Sequence, residues 1–142
     1  MDVQQWLEQI AKLDELITAK LAERQRLIEI ATDISAKPFD GMPHSNTGTV
    51  SQKMQNAVLN LVELEHKLDR LIDKYVDHKQ QVVNALEKLP EKEYGVLHRH
   101  YIRGMTWEQV AEDMGYSTMQ VYRIRKKAFK ILEDVIQEVG KI

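Results

Sequence analysis

The chain has 142 residues, enough for one globular domain or a small domain with an extension. It is 43% hydrophobic and 30% charged, and only three prolines and six glycines interrupt a composition typical of long helices. A formal net charge of −2 neither selects nor excludes a polyanionic partner, whereas the lack of cysteine excludes a disulfide framework and a thiolate metal site and suits a reducing compartment.

The opening "MDVQQWLEQI" has no basic segment followed by an apolar one, and no stretch approaches ~18 apolar residues. The expectation is a cytoplasmic protein with no membrane partner. Residues 3–36 read as one long helix, because Trp6, Ile10, Leu13, Ile17, Leu27, Ala31 and Ile34 recur at steps of three and four. Lys20 and Arg24 interrupt that stripe, and Leu21 and Ile28 offer a neighbouring face. "AKPFDGMPHSNTGTVS" then predicts a loop over 37–49, with two prolines and two glycines and a proline that pushes Lys37 out of helical geometry. Thr49-Val50-Ser51-Gln52 fits a capping box and predicts the next helix start.

Residues 50–88 read as a second long helix. Leu61, Leu64, Leu68, Leu71, Tyr75, His78, Val82, Ala85 and Leu89 alternate by three and four, an apolar seam in which His78 is a polar interruption that sets register. Neither helix can bury its stripe alone. An antiparallel hairpin would place Trp6 near Leu86 and Leu89, and a self-associated bundle would serve equally well. Pro90 breaks the run, and "PEKE" suits the first turn of a third helix over 91–102 with Val96, Leu97, Tyr101 and Ile102 on its apolar side, ended by Gly104. The chain therefore divides into a helical hairpin, 1–89, for interaction or oligomerisation, and a C-terminal domain, 90–142.

The remaining segment, "GMTWEQVAEDMGYSTMQVYRIRKKAFKIL", carries two capping boxes, Thr106-Trp107-Glu108-Gln109 and Ser117-Thr118-Met119-Gln120. Each has a hydrophobic staple, Met105 with Val110 and Tyr116 with Val121, and Gly115 suits a left-handed cap between them. Val110, Ala111 and Met114 share one face of the first helix, and Val121 and Ile124 one face of the second. That is the helix-turn-helix pattern, whose second helix enters the major groove of double-stranded DNA by its N-terminal end. The second helix carries five basic residues and no acid before Glu133. With Val121 and Ile124 inward, Thr118, Met119, Tyr122, Arg123 and Lys126 point outward, flanked by Arg125, Lys127 and Lys130. Arg123 suits a guanine edge, Thr118 and Tyr122 a base or phosphate, and Met119 a thymine methyl or a protein. Lys126, Lys127 and Lys130 suit phosphates. Thr106, Ser117 and Gln120 complete the candidate DNA-binding set at the two helix starts. Trp107 reads as a packing residue against the third helix.

His98 and His100 point to different sides of a helix and make a poor zinc pair. No nucleophile–base pair, phosphate-cradling glycine loop or metal motif stands out. The expectation is a protein that is not an enzyme and has no cofactor, metal or small-molecule substrate.

"LPEKEYGVLHRHYIRGMTWEQVAEDMGYSTMQVYRIRKKAFKIL" resembles region 4 of bacterial sigma factors, which binds an upstream promoter element and touches RNA polymerase. The whole chain looks like a family of small phage-encoded proteins grouped with sigma-like regulators of the RinA and ArpU kind, which activate late phage genes. The resemblance implies an all-α fold, a long antiparallel helical hairpin followed by a three-helix domain of sigma region 4 type. It implies a phage or prophage transcriptional regulator in a bacterial host, with host RNA polymerase as a second partner. The sigma-type reading positions fall on Thr118, Met119, Tyr122 and Arg123. Sigma factors usually carry charged residues where Thr118, Met119 and Tyr122 stand, which points to a different DNA site. No sigma region 2 is visible, which implies an activator and not a complete initiation factor. A DNA-packaging adaptor resembling a small terminase subunit, or a polymerase-binding module, would also join such a domain to long helices. A homodimer is compatible with each.

Overall fold

The computed structural model describes residues 2–36 and 47–139. Five α-helices follow in order among them: α1 Val3–Ala36, α2 Thr47–Leu86, α3 Glu91–Leu97, α4 Trp107–Met114 and α5 Thr118–Val139. A π-helical turn, His98–Ile102, continues α3. The described residues contain no strand, so the fold is all-α.

The helix starts are marked by side chains. Asp2 Oδ1 accepts the Gln5 amide at 2.7 Å and caps α1. α2 begins at Thr47, two residues before the expected start, so 47–49 are helix and not loop. The rest of the expected loop, 37–46, and the side chains of Ile34, Thr49 and Ser51 lie outside the described residues. The third helix is not one α-helix over 91–102: it changes to π geometry at His98, where Arg103 N–H donates to the His98 carbonyl at 3.1 Å. Gly104, at φ 73°, then turns the chain.

The chain forms two compact units, Met1–Asp14 with Lys74–Ile142, and Glu15–Asp73. In the first unit the opening turns of α1 pack beside the closing turns of α2. Val3, Trp6, Leu7 and Ile10 share one core with Val82, Ala85, Leu86 and Leu89, so Trp6 does meet the end of the seam. His78 Nε2 lies 2.7 Å from the Trp6 carbonyl, which can only accept, so the ring donates there and fixes the pairing register. The same core takes Val96 and Leu97 from α3, Val110 and Ala111 from α4, and Val121, Ala128, Leu132 and Ile136 from α5.

The second unit holds the later turns of α1 and the earlier turns of α2. Leu64 and Leu68 are buried on the seam with Ala57. Arg24, which interrupts the apolar stripe in the sequence, reaches across to Glu65 at 3.2 Å. Leu21, its suggested alternative, is exposed. The aliphatic stem of an arginine can cover a seam while its head pairs at the edge, which is why a charged residue displaces leucine here.

Candidate nucleic-acid interface

The start of α5 is fixed by four local devices. Thr106 Oγ1 accepts the Gln109 amide at 3.1 Å, and Gln109 Oε1 accepts the Thr106 amide at 3.0 Å, closing the first capping box. Gly115 takes the left-handed conformation at φ 71°. Tyr116 N–H then reaches the Ala111 carbonyl at 2.9 Å and Gly115 N–H the Glu112 carbonyl at 3.3 Å, a Schellman closure of α4. The second capping box joins Ser117 and Gln120, with bonds of 3.2 and 2.9 Å. Met105 and Tyr116, the residues before each cap, pack against the core.

Packing then sets how α5 is rotated. Val121 and Ala128 are fully buried and Ile124 is half-buried. Directly opposite Val121, at steps of four, three and four, stand Met119, Arg123, Lys126 and Lys130, all exposed. Thr118, Tyr122 and Lys127 are exposed on either side, as are Thr106, Ser117 and Gln120 at the two helix starts. Of the ten candidates, Thr106, Ser117 and Gln120 are committed to capping bonds. Arg123 Nη2 lies 3.6 Å from Met119 Sδ, so the guanidinium folds back along the stripe.

Lys127 differs from its neighbours. Its ammonium is 3.8 Å from Glu93 of α3, and the side chains are 70% and 7% exposed respectively. The expectation that no acid compensates these cations between 117 and 132 holds along the helix and fails in space. Arg125 is also not a free cation. Its guanidinium sits 5.0 Å from the Trp107 ring centre, 5.1 Å from Phe129 and 5.9 Å from Tyr122. Its Nε is buried without a hydrogen-bond partner. Arg125 is thus packing for α5, a role that residue type alone does not reveal; only Tyr122 and Phe129, three residues before and four after it on the same helix, gave a local signal.

The support under α5 is aromatic and partly titratable. His100 stacks on Trp107 at 3.7 Å and bonds the Met105 carbonyl through Nδ1 at 2.7 Å. His98 stacks instead on Tyr94 at 5.1 Å, so the two histidines serve different neighbours. Burial lowers the His100 pKa, opposed by the Met105 bond. Burial, then Arg103, Arg99 and Lys79, lower that of His98. Burial pushes the Tyr101 hydroxyl up to about 12. Arg99 binds Asp113 at 2.6 Å and so ties the third helix to α4; that hydrogen bond holds the Asp113 carboxyl below its ordinary range. No group of three or more His, Asp or Glu residues among the described residues could hold a metal ion. No helix among them is long and apolar enough to cross a membrane.

A capped short helix, a left-handed glycine and a second helix with one cationic exposed pole define a helix-turn-helix domain of the DNA-binding class. Residues 85–133 match the family Sigma-70, region 4, from the end of α2 into the second half of α5. This segment is similar to sigma region 4, which is a DNA-binding module and not an enzymatic one. No curated protein and no solved structure matches the chain.

Proposed function

We propose that the chain is a sequence-specific transcriptional regulator of phage or prophage, an activator that acts in the cytoplasm of the bacterial host and touches host RNA polymerase. The observation that carries the DNA reading is the stripe Met119–Arg123–Lys126–Lys130, opposite buried Val121 on a helix whose start is doubly capped. The N-terminal end of α5 enters the major groove, with Thr118, Met119, Tyr122 and Arg123 at base edges and Lys126 and Lys130 on phosphates. Thr106, Ser117, Gln120 and Lys127 lie where the flanking backbone would pass. The activator and polymerase roles draw on the likeness to sigma region 4.

The second unit supports self-association. A pair of helices has no second layer, and this one leaves Leu16, Leu21, Ile30, Val58, Leu59, Val62 and Ile72 exposed. A homodimer would cover part of them.

The test is binding to random-sequence DNA followed by gel shifts on the selected site. Arg123→Ala should cost about 1–3 kcal/mol on that site and relax preference at one position. Lys126→Ala should weaken all sequences alike and flatten the salt dependence by about one unit. Wild-type binding by both variants sinks the assignment of this face. A large ring by light scattering would favour a DNA-packaging adaptor instead, and polymerase capture without DNA affinity at low salt would favour an interaction module.

A further inference from the structure

The exposed pole of α5 is not uniform along its length. Its cations, Arg123, Lys126 and Lys130, follow an apolar head, Met119, which is 64% exposed, with Tyr122 beside it at 45%. No other large hydrophobic of the helix-turn-helix segment is comparably exposed among the described residues. The fully buried anchors of α5 are Val121, Ala128 and Leu132, so Met119 is not needed to hold the helix. The Arg123 guanidinium lies against the Met119 sulfur, so charge borders the apolar head directly. A helix that enters a groove by its N-terminal end carries its first turns deepest, against base edges, and its later turns along phosphates. The order of chemistry on α5 is the order of chemistry met on that path: apolar first, cationic after.

Only one apolar feature lines the major groove, the methyl group at C5 of a pyrimidine. We infer that Met119 and Tyr122 form a reader of pyrimidine 5-methyl groups at the head of α5, with thymine as the base read and Arg123 reading the neighbouring guanine. This rests on the DNA-binding reading above and adds the base class that its first contacts take. Methionine suits the role because an unbranched, polarizable side chain can close over a methyl group without fixed geometry.

The same methyl group is borne by thymine and by 5-methylcytosine, and the two are separable. Full-length protein is taken through selection on a random duplex pool, and the enriched duplex is resynthesised with deoxyuridine replacing thymine one position at a time. At one or two positions, loss of the methyl should weaken binding about fourfold, the value of burying one methyl-sized group. Replacing the same A·T pair by a pair with 5-methylcytosine should retain more affinity than replacement by one with unmodified cytosine. Met119→Ala and Met119→Gln should each bind the thymine and deoxyuridine duplexes alike, with unchanged circular dichroism and melting temperature, since the position is exposed. A selected site indifferent to deoxyuridine everywhere overturns the methyl reading alone. Selection that enriches no sequence overturns both this inference and the DNA-binding reading on which it rests.

Discussion

Two basic residues of α5 look alike in the sequence and differ in what they can do. Arg125 lies among Trp107, Phe129 and Tyr122, and its loss removes packing and cation–π attraction together. Arg125→Ala should destabilise the protein by about 1–2 kcal/mol in urea unfolding while leaving the salt slope of DNA binding unchanged. Arg125→Lys should recover little, since a compact ammonium cannot stack. Lys127 is held near the buried carboxylate of Glu93 and is partly neutralised there. Lys127→Ala should therefore flatten the salt slope by less than Lys126→Ala does, and Glu93→Gln should tighten binding to all sequences. Equal slopes for the two lysine variants would remove Glu93 from the account.

At the scale of elements, the turn between α4 and α5 depends on one backbone conformation and two caps. A β-carbon added to Gly115, at φ 71°, would meet nothing within 4 Å, so the cost of Gly115→Ala is conformational, about 1–2 kcal/mol. Ser117→Ala should cost about 1 kcal/mol, because the Gln120 amide loses its acceptor. Chemical denaturation of the full chain measures both. The π turn carries a pH dependence. His98 and His100 are held below the ordinary 6.5, so the unfolded chain takes up protons first as pH falls. Their contribution is full above about pH 6.5 and is lost as pH drops through the folded values, so melting temperature should fall from about pH 7.5 to about pH 5. His100→Phe, which keeps an aromatic ring beside Trp107, should flatten that fall; an unchanged slope would place the pH sensitivity elsewhere.

At the scale of the whole chain, the two units differ in how much core they own. The first draws on all five helices, with fully buried Leu7, Val82, Leu86, Leu97, Val110, Val121 and Leu132. The second has two helical segments and buries only Ala57, Leu64 and Leu68 of its described hydrophobics. Such a unit gains stability when another layer covers it. Sedimentation of the full chain should show a dimer, and Val58→Lys with Val62→Lys should shift it to monomer with helicity retained. A monomeric wild type would refute the homodimer.

Much of the architecture was legible because its causes are local. Two capping boxes, one left-handed glycine and the alternation of threes and fours need only neighbouring residues, and Thr106, Gly115, Ser117 and the seam from Leu61 to Leu89 occur as that chemistry requires. The exposed stripe on α5 follows from the same periodicity once Val121 faces inward. Contacts between distant residues were not legible. Nothing near Lys127 in the chain announces Glu93, and nothing near Arg24 announces Glu65. The cage around Arg125 needs α4 and α5 brought together, and the change to π geometry at His98 accompanies packing on Tyr94 and Trp107. The sequence by itself determined where α4 and α5 begin, turn and carry charge, because backbone capping and side-chain period act over a few residues. Only the tertiary structure decided which of those charges remain free, because pairing and burial depend on what the fold brings alongside.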